Sequence, residues 1–184
     1  MLPFGCQSGR KCDSANRDQR GFTLIELMIT LAVLAVLLVL AVPSFTSLIN
    51  ANRLTGQANE LVADLQFARS EAIRRNQRVT LCPSTDDVNC GGGNWGRRII
   101  VAPLGAGTEV VRVTRSRPNV TVAGAAASVV FRPDGLARDA AGQLVNTTLR
   151  LCLDTTRPAE NVRQITLAAG ARVATLAPVA GTCP

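Results

Sequence analysis

The sequence predicts an α+β fold: a long N-terminal helix, membrane-spanning in its first half, packed on an antiparallel β-sheet head. Three observations predict it. An apolar run opens near the N-terminus, an apolar spacing of three and four follows it, and after residue 77 short β-branched runs alternate with turn residues. The chain has 184 residues, with 20 Lys+Arg against 13 Asp+Glu and a formal charge of +7. Lysine occurs once, at Lys11, and histidine and tyrosine are absent. Without an imidazole, Ser-His-Asp and Cys-His nucleophile pairs, HExxH metal sites and Cys₂His₂ fingers are excluded, since each needs one as base or ligand. Composition therefore points away from an enzyme.

Residues 27–42 contain one polar side chain, Thr30. With residues 22–26 they make 21 residues, which as a helix reach about 31 Å, close to the hydrocarbon thickness of a bilayer. Arg10, Lys11, Arg17 and Arg20 precede the segment against Asp13 and Asp18. This basic excess places the N-terminus in the cytoplasm and everything after Val42 outside. A removable secretory signal would have a shorter apolar core and be cut after it, as the Leu40–Ser44 stretch weakly allows. A plain anchor leaves Glu26 unexplained, because a carboxylate inside an apolar helix costs about 2.5–3.5 kcal/mol without a partner. Placement of Glu26 at the headgroup level is the simpler alternative. Cleavage between Gly21 and Phe22 would instead supply a partner, the new α-ammonium.

The run Arg20-Gly21-Phe22-Thr23-Leu24-Ile25-Glu26-Leu27-Met28 resembles the class III signal of type IV pilins and type II secretion pseudopilins. The resemblance implies a leader, residues 1–21, cut by a prepilin peptidase between Gly21 and Phe22, followed by N-methylation of Phe22. It also implies that Glu26 pairs with a neighbouring subunit's N-terminus during assembly. Cys6 and Cys12 lie in the leader and would leave with it. The remaining chain would have 163 residues and a formal charge of +5, from sixteen basic and eleven acidic side chains.

The transmembrane segment, residues 22–42, is expected to continue as an amphipathic helix over residues 43–77, kinked at Pro43. Leu54, Ala58, Leu61, Leu65, Ala68 and Ala72 form one apolar face, and Arg53, Asn59, Glu60, Arg69, Arg74 and Arg75 lie on the others. The membrane half is expected to pack among other subunits and the second half to lie on the head. The head, residues 78–184, carries candidate strands at 78–82, 96–102, 109–115, 119–123, 128–132, 144–154, 162–168 and 172–176. Breaks fall at Gly91–Asn94, Gly105-Ala106-Gly107 and Pro133-Asp134-Gly135. Strands so short and close are expected to join as antiparallel hairpins. Residues 123–127 read as merely small and flexible.

Cys82, Cys90, Cys152 and Cys183 would face an oxidising compartment and form disulfides. Four cysteines allow three connectivities; proximity in sequence favours Cys82–Cys90, which leaves Cys152–Cys183. Chain-entropy arithmetic assigns these loops about 2.6 and 3.7 kcal/mol. A four-thiolate zinc site is disfavoured because no CxxC spacing occurs. No metal and no cofactor is expected.

Cys82, Cys90 and Trp95, the Phe131-Arg132-Pro133-Asp134-Gly135 turn and Leu151-Cys152 resemble the GspH/FimT/FimU branch of minor pilins and pseudopilins. Trp95 is expected in the core or at a strand edge, and Pro133-Asp134-Gly135 as a turn. The resemblance implies a low-abundance subunit that primes or caps a filament alongside other minor and major pilins or pseudopilins. Its expected location is the inner membrane, single-pass, with the head in the periplasm. Two systems share these features, the type IV pilus (with twitching and DNA uptake) and the type II secretion system. The two disulfides and the basic head favour the pilus. A membrane-anchored periplasmic binding protein is the reading from another class. Basic clusters at Arg97-Arg98, Arg112/Arg115/Arg117 and Arg157/Arg163/Arg172 suit phosphate contacts. FimT-like pilins that capture DNA resemble one another in a C-terminal Gly-Arg-x-Arg motif. Here Gly170-Ala171-Arg172 retains the glycine and one displaced arginine, so DNA is a candidate partner through Arg163 and Arg172.

Overall fold

The computed structural model describes residues 21–168 and 170–184. The basic leader residues and Cys6 and Cys12 lie outside the described residues. The described chain divides into two units, with the boundary between Leu40 and Ala41.

Among the described residues a single helix, α1 (Leu24–Arg75), is followed by nine strands. They are β1 (Val79–Pro83), β2 (Arg97–Leu104), β3 (Gly107–Arg115), β4 (Val120–Gly124), β5 (Val129–Phe131), β6 (Ala137–Arg138), β7 (Thr147–Leu153), β8 (Val162–Ala168) and β9 (Arg172–Thr175). Each of the eight expected strands is present, β8 with its expected bounds and the others shifted, trimmed or extended at their ends; the two-residue β6 has too little sequence to show a pattern. The strands form two antiparallel sheets rather than one, ordered β3-β2-β1-β5-β6 and β4-β7-β8-β9. The β2–β3 pair is a hairpin with Leu104 opposite Gly107, and Gly105, at φ 59°, opens its two-residue loop.

α1 begins after Thr23, whose Oγ1 accepts the Glu26 N–H at 3.2 Å, the spacing of a capping box. It ends at Arg75 rather than Gln77. Asn76 takes a positive φ of 53°, its N–H reaches Ile73 O at 3.2 Å, and the Gln77 N–H reaches Ala72 O at 3.2 Å. That pair of bonds is a Schellman cap with asparagine in the left-handed position. Pro43 lies inside the helix, where it removes one main-chain donor.

Leu54, Ala58, Leu61, Leu65, Ala68 and Ala72 are all buried, as their spacing predicts. They share one core with Val79, Leu81, Ile100, Val129 and Phe131 of the five-stranded sheet and Val122, Leu149, Leu151, Ile165 and Leu167 of the four-stranded sheet.

Candidate functional site

The N-terminal segment presents Gly21, Phe22 and Glu26 together. Phe22 is 85% exposed and precedes the cap residue Thr23, while Glu26 sits in the first helical turn. Residues 21–39 are exposed without exception. Over residues 22–52 Glu26 is the single charged side chain, and among the described residues it has no ion-pair partner. A span of this helix is apolar and long enough to cross a membrane. Each fully covered Leu, Ile or Val contributes about 1.5–3 kcal/mol, so this surface favours lipid or neighbouring apolar helices strongly over water. A lone carboxylate in such a surroundings favours a cationic partner.

In the head, α1 meets the five-stranded sheet through a polar line that sequence reading missed. Gln57, Asp64 and Glu71 are seven residues apart, lie along one helix face and are all buried. Gln57 Oε1 accepts the Arg117 N–H at 2.9 Å. Asp64 accepts Arg98 Nε at 2.6 Å, Thr114 Oγ1 at 3.2 Å and Arg112 Nη1 at 3.4 Å. Glu71 accepts Arg74 Nη2 and Arg75 Nε, each at 2.6 Å, and Arg75 also donates to Glu109. The partners run from residue 117 back to 109 as the helix runs from 57 to 71, so α1 lies antiparallel to β3. The hydrogen bonds from Arg74 and then Arg75 hold the Glu71 carboxyl down at about 2, against an ordinary 4.5. The seven-residue polar recurrence, in phase with the apolar face, was the available signal.

Both expected disulfides are closed, Cys82–Cys90 with Cα atoms 5.5 Å apart and Cys152–Cys183 at 5.4 Å, ordinary separations for the bond. The first bounds a loop organised by Asp86, which accepts the Val88 and Asn89 N–H groups at 2.9 and 2.8 Å. Those bonds, Asn89's foremost, hold the Asp86 carboxyl well below the usual carboxylate range. The second disulfide ties down the C-terminal tail. Asn161 assists, accepting the Gly181 N–H at 3.0 Å and donating to Leu153 O at 3.1 Å. Trp95 is buried in the core, and its indole N–H donates to Ala126 O at 3.0 Å. Residues 123–127 are therefore a packing surface for Trp95 as well as a small-residue stretch. A Cβ on Gly124 would meet Leu149 Cδ2 at 2.3 Å. The Pro133-Asp134-Gly135 turn forms as expected, with Gly135 at φ 76° and its N–H on Arg132 O at 2.8 Å.

The arginines do not make one basic face. Arg98 is fully buried on Asp64, while Arg97 and Arg115 pair with Asp87. Arg112 stacks over the Phe67 ring at 3.8 Å. Arg163 and Arg172, the two candidate DNA-contacting arginines, differ in exposure. Arg163 is buried, on the same side of β8 as Ile165 and Leu167, and its Nη1 donates to Glu160 O at 2.9 Å. Arg172 is exposed at the start of the edge strand β9 and pairs with Ala168. That register puts it five residues, about 17 Å, along β8 from Arg163 and on the opposite face.

The profile of a family described as "Type II transport protein GspH" matches residues 57–171, and that of the prokaryotic N-terminal methylation motif matches residues 16–42. The chain belongs to the GspH family. This GspH-family chain is 46% identical over 65 residues to the pilin-like protein PilA1 of Thermus thermophilus, a stretch covering 34% of this chain and 39% of that protein. Its fold is similar to that of the type IV minor pilin FimU of Pseudomonas aeruginosa, at TM-score 0.52 and 20% identity over 69% of this chain and 90% of that one. The minor pseudopilin EpsH of the Vibrio cholerae type II secretion system gives TM-score 0.51 and 13% identity over 68% and 97%. These likenesses to solved structures are likenesses of fold.

Proposed function

We propose that this chain is a minor pilin that primes or caps assembly of a type IV pilus and so serves pilus biogenesis and twitching motility. The observation that carries the assembly reading is Glu26, alone among exposed apolar side chains four residues beyond Phe22. A prepilin peptidase cuts after Gly21, and Phe22 becomes the methylated N-terminus. The anchor then sits singly across the inner membrane with the head in the periplasm. On assembly, Glu26 neutralises a neighbouring subunit's N-terminal ammonium, which removes the cost of an unpaired carboxylate in an apolar surrounding. The apolar half of the helix packs among other pilins.

The likeness to a pilin-like relative and the two closed disulfides support the pilus side. The family description, a type II transport protein, favours the second reading, an H-type pseudopilin. An in-frame deletion scored for surface pili, DNA uptake and secreted enzymes separates them. Lost pili with normal secretion is expected; lost secretion with normal pili would replace the pilin reading by the pseudopilin.

A further inference from the structure

Most head arginines near α1 and β3 hold a carboxylate: Arg74 and Arg75 hold Glu71, Arg97 and Arg115 hold Asp87, and Arg98 and Arg112 hold Asp64. Other arginines do not, and three of these converge. Arg78, Arg132 and Arg138 line a cavity of about 310 Å³ together with Val130 and Asp139, and none of the three has an ion-pair partner among the described residues. Register explains their convergence. Val130 of β5 sits opposite both Thr80 of β1 and Arg138 of β6, and Arg78 and Arg132 lie two residues from Thr80 and Val130 on the same face. The other face of these strands is the core face, with Val79, Phe131 and Ala137.

The cluster is held in place. Arg138 Nη1 donates to Gly142 O at 2.9 Å, the Asp139 N–H reaches Gln143 O at 2.9 Å, and the Arg132 N–H reaches Leu136 O at 3.0 Å. Arg138 Nε is shielded from solvent with no acceptor. Asp139, the one carboxylate lining the cavity, already accepts the Gln143 N–H at 2.8 Å, and its charge offsets only one of three guanidiniums. A concavity with excess positive charge, forked donors and a buried donor lacking its acceptor matches an oxyanion with several acceptor atoms.

We propose that Arg78, Arg132 and Arg138 form a binding site for a phosphate-class oxyanion on the outer face of the five-stranded sheet. The volume sits at the low end of small-molecule sites, about 300–1,000 Å³, and leaves room beside the phosphate for a small organic group. The site is independent of the filament system the chain serves.

The test titrates the full chain in detergent with inorganic phosphate and, separately, glycerol 3-phosphate, at ionic strength held constant with sodium chloride. Saturable binding is expected, weakened about tenfold or more by Arg138→Gln and by Arg78→Gln, and unchanged by Arg172→Gln. Arg78 is exposed and makes no side-chain hydrogen bond among the described residues, so its substitution leaves the fold alone. Equal affinity for the two probes assigns recognition to the phosphate, and tighter binding of the ester adds the organic group; both support the site. Absence of saturable binding, or equal weakening by Arg172→Gln, overturns it.

Discussion

Removing Asp64 should cost more than any other single change on the helix face. Its side chain is 2% exposed and that of Arg98 is 1% exposed, with Nε 2.6 Å from Oδ2. In Asp64→Ala the Arg98 charge stays buried, and its remaining contact is Nη1 to Trp95 O at 3.5 Å, at the limit of a hydrogen bond. Breaking such a pair from one side costs about 3–5 kcal/mol. At about 2–4 °C per kcal/mol for a domain of this size, the unfolding midpoint should fall by about 6–20 °C. Arg112 also reaches Asp64, at 3.4 Å, but it is 41% exposed and can turn to water, so Arg112→Ala should cost less than about 1 kcal/mol at the ion pair. Thermal or urea unfolding of the full chain in detergent, followed by circular dichroism, measures both. The paired change Asp64→Leu with Arg98→Met, which removes both charges, should recover most of the loss. An Asp64→Ala cost below about 1 kcal/mol, or a double variant no better than the single one, would mean that Arg98 does not depend on Asp64 for its burial.

Acid should loosen the head through Glu71. Its folded pKa, about 2, lies below the ordinary 4.5, so its stabilisation is complete above about pH 4.5 and is lost as pH falls towards 2. Glu71→Gln should flatten that limb of a stability-against-pH curve, and an unaltered limb would assign it elsewhere. Gly124→Ala should destabilise by about 1–3 kcal/mol, because the added methyl overlaps Leu149 Cδ2 in a packed core; fluorescence of the sole tryptophan, Trp95, reports it, and a neutral substitution would remove the close-approach argument. Mass spectrometry of the membrane fraction should find residues 22–184 plus one methyl group and minus four hydrogens, whereas an intact Met1 would defeat the prepilin reading. Glu26→Ala should leave that processing intact and impair incorporation into filaments, and wild-type incorporation would reduce Glu26 to an ordinary interface residue.

Elements with local signals were legible in the order of residues alone. The apolar positions from Leu54 to Ala72 recur at helical spacing and are all buried, and the eight β-branched runs are all strands. Cys82 and Cys90, the two head cysteines nearest in sequence, are bonded, because a short loop brings its ends together at small entropic cost. Glu26 was legible because a lone charge in an apolar run stands out without any fold.

Features that depend on partners distant in the chain had no such local signal. Arg97 and Arg98 are adjacent in sequence, yet one is half-exposed on Asp87 and the other buried on Asp64, 34 residues away. Alternation along β2 sends neighbours to opposite faces, and only the position of α1 determines which face is covered. The same parity hides Arg163 and exposes Arg172, and it gathers Arg78, Arg132 and Arg138 around one cavity from three separate segments. An arginine's sequence records its charge; whether that charge is spent on a carboxylate or left open to a ligand follows from which strands lie side by side, and pairing energies between strands act only once the chain has closed.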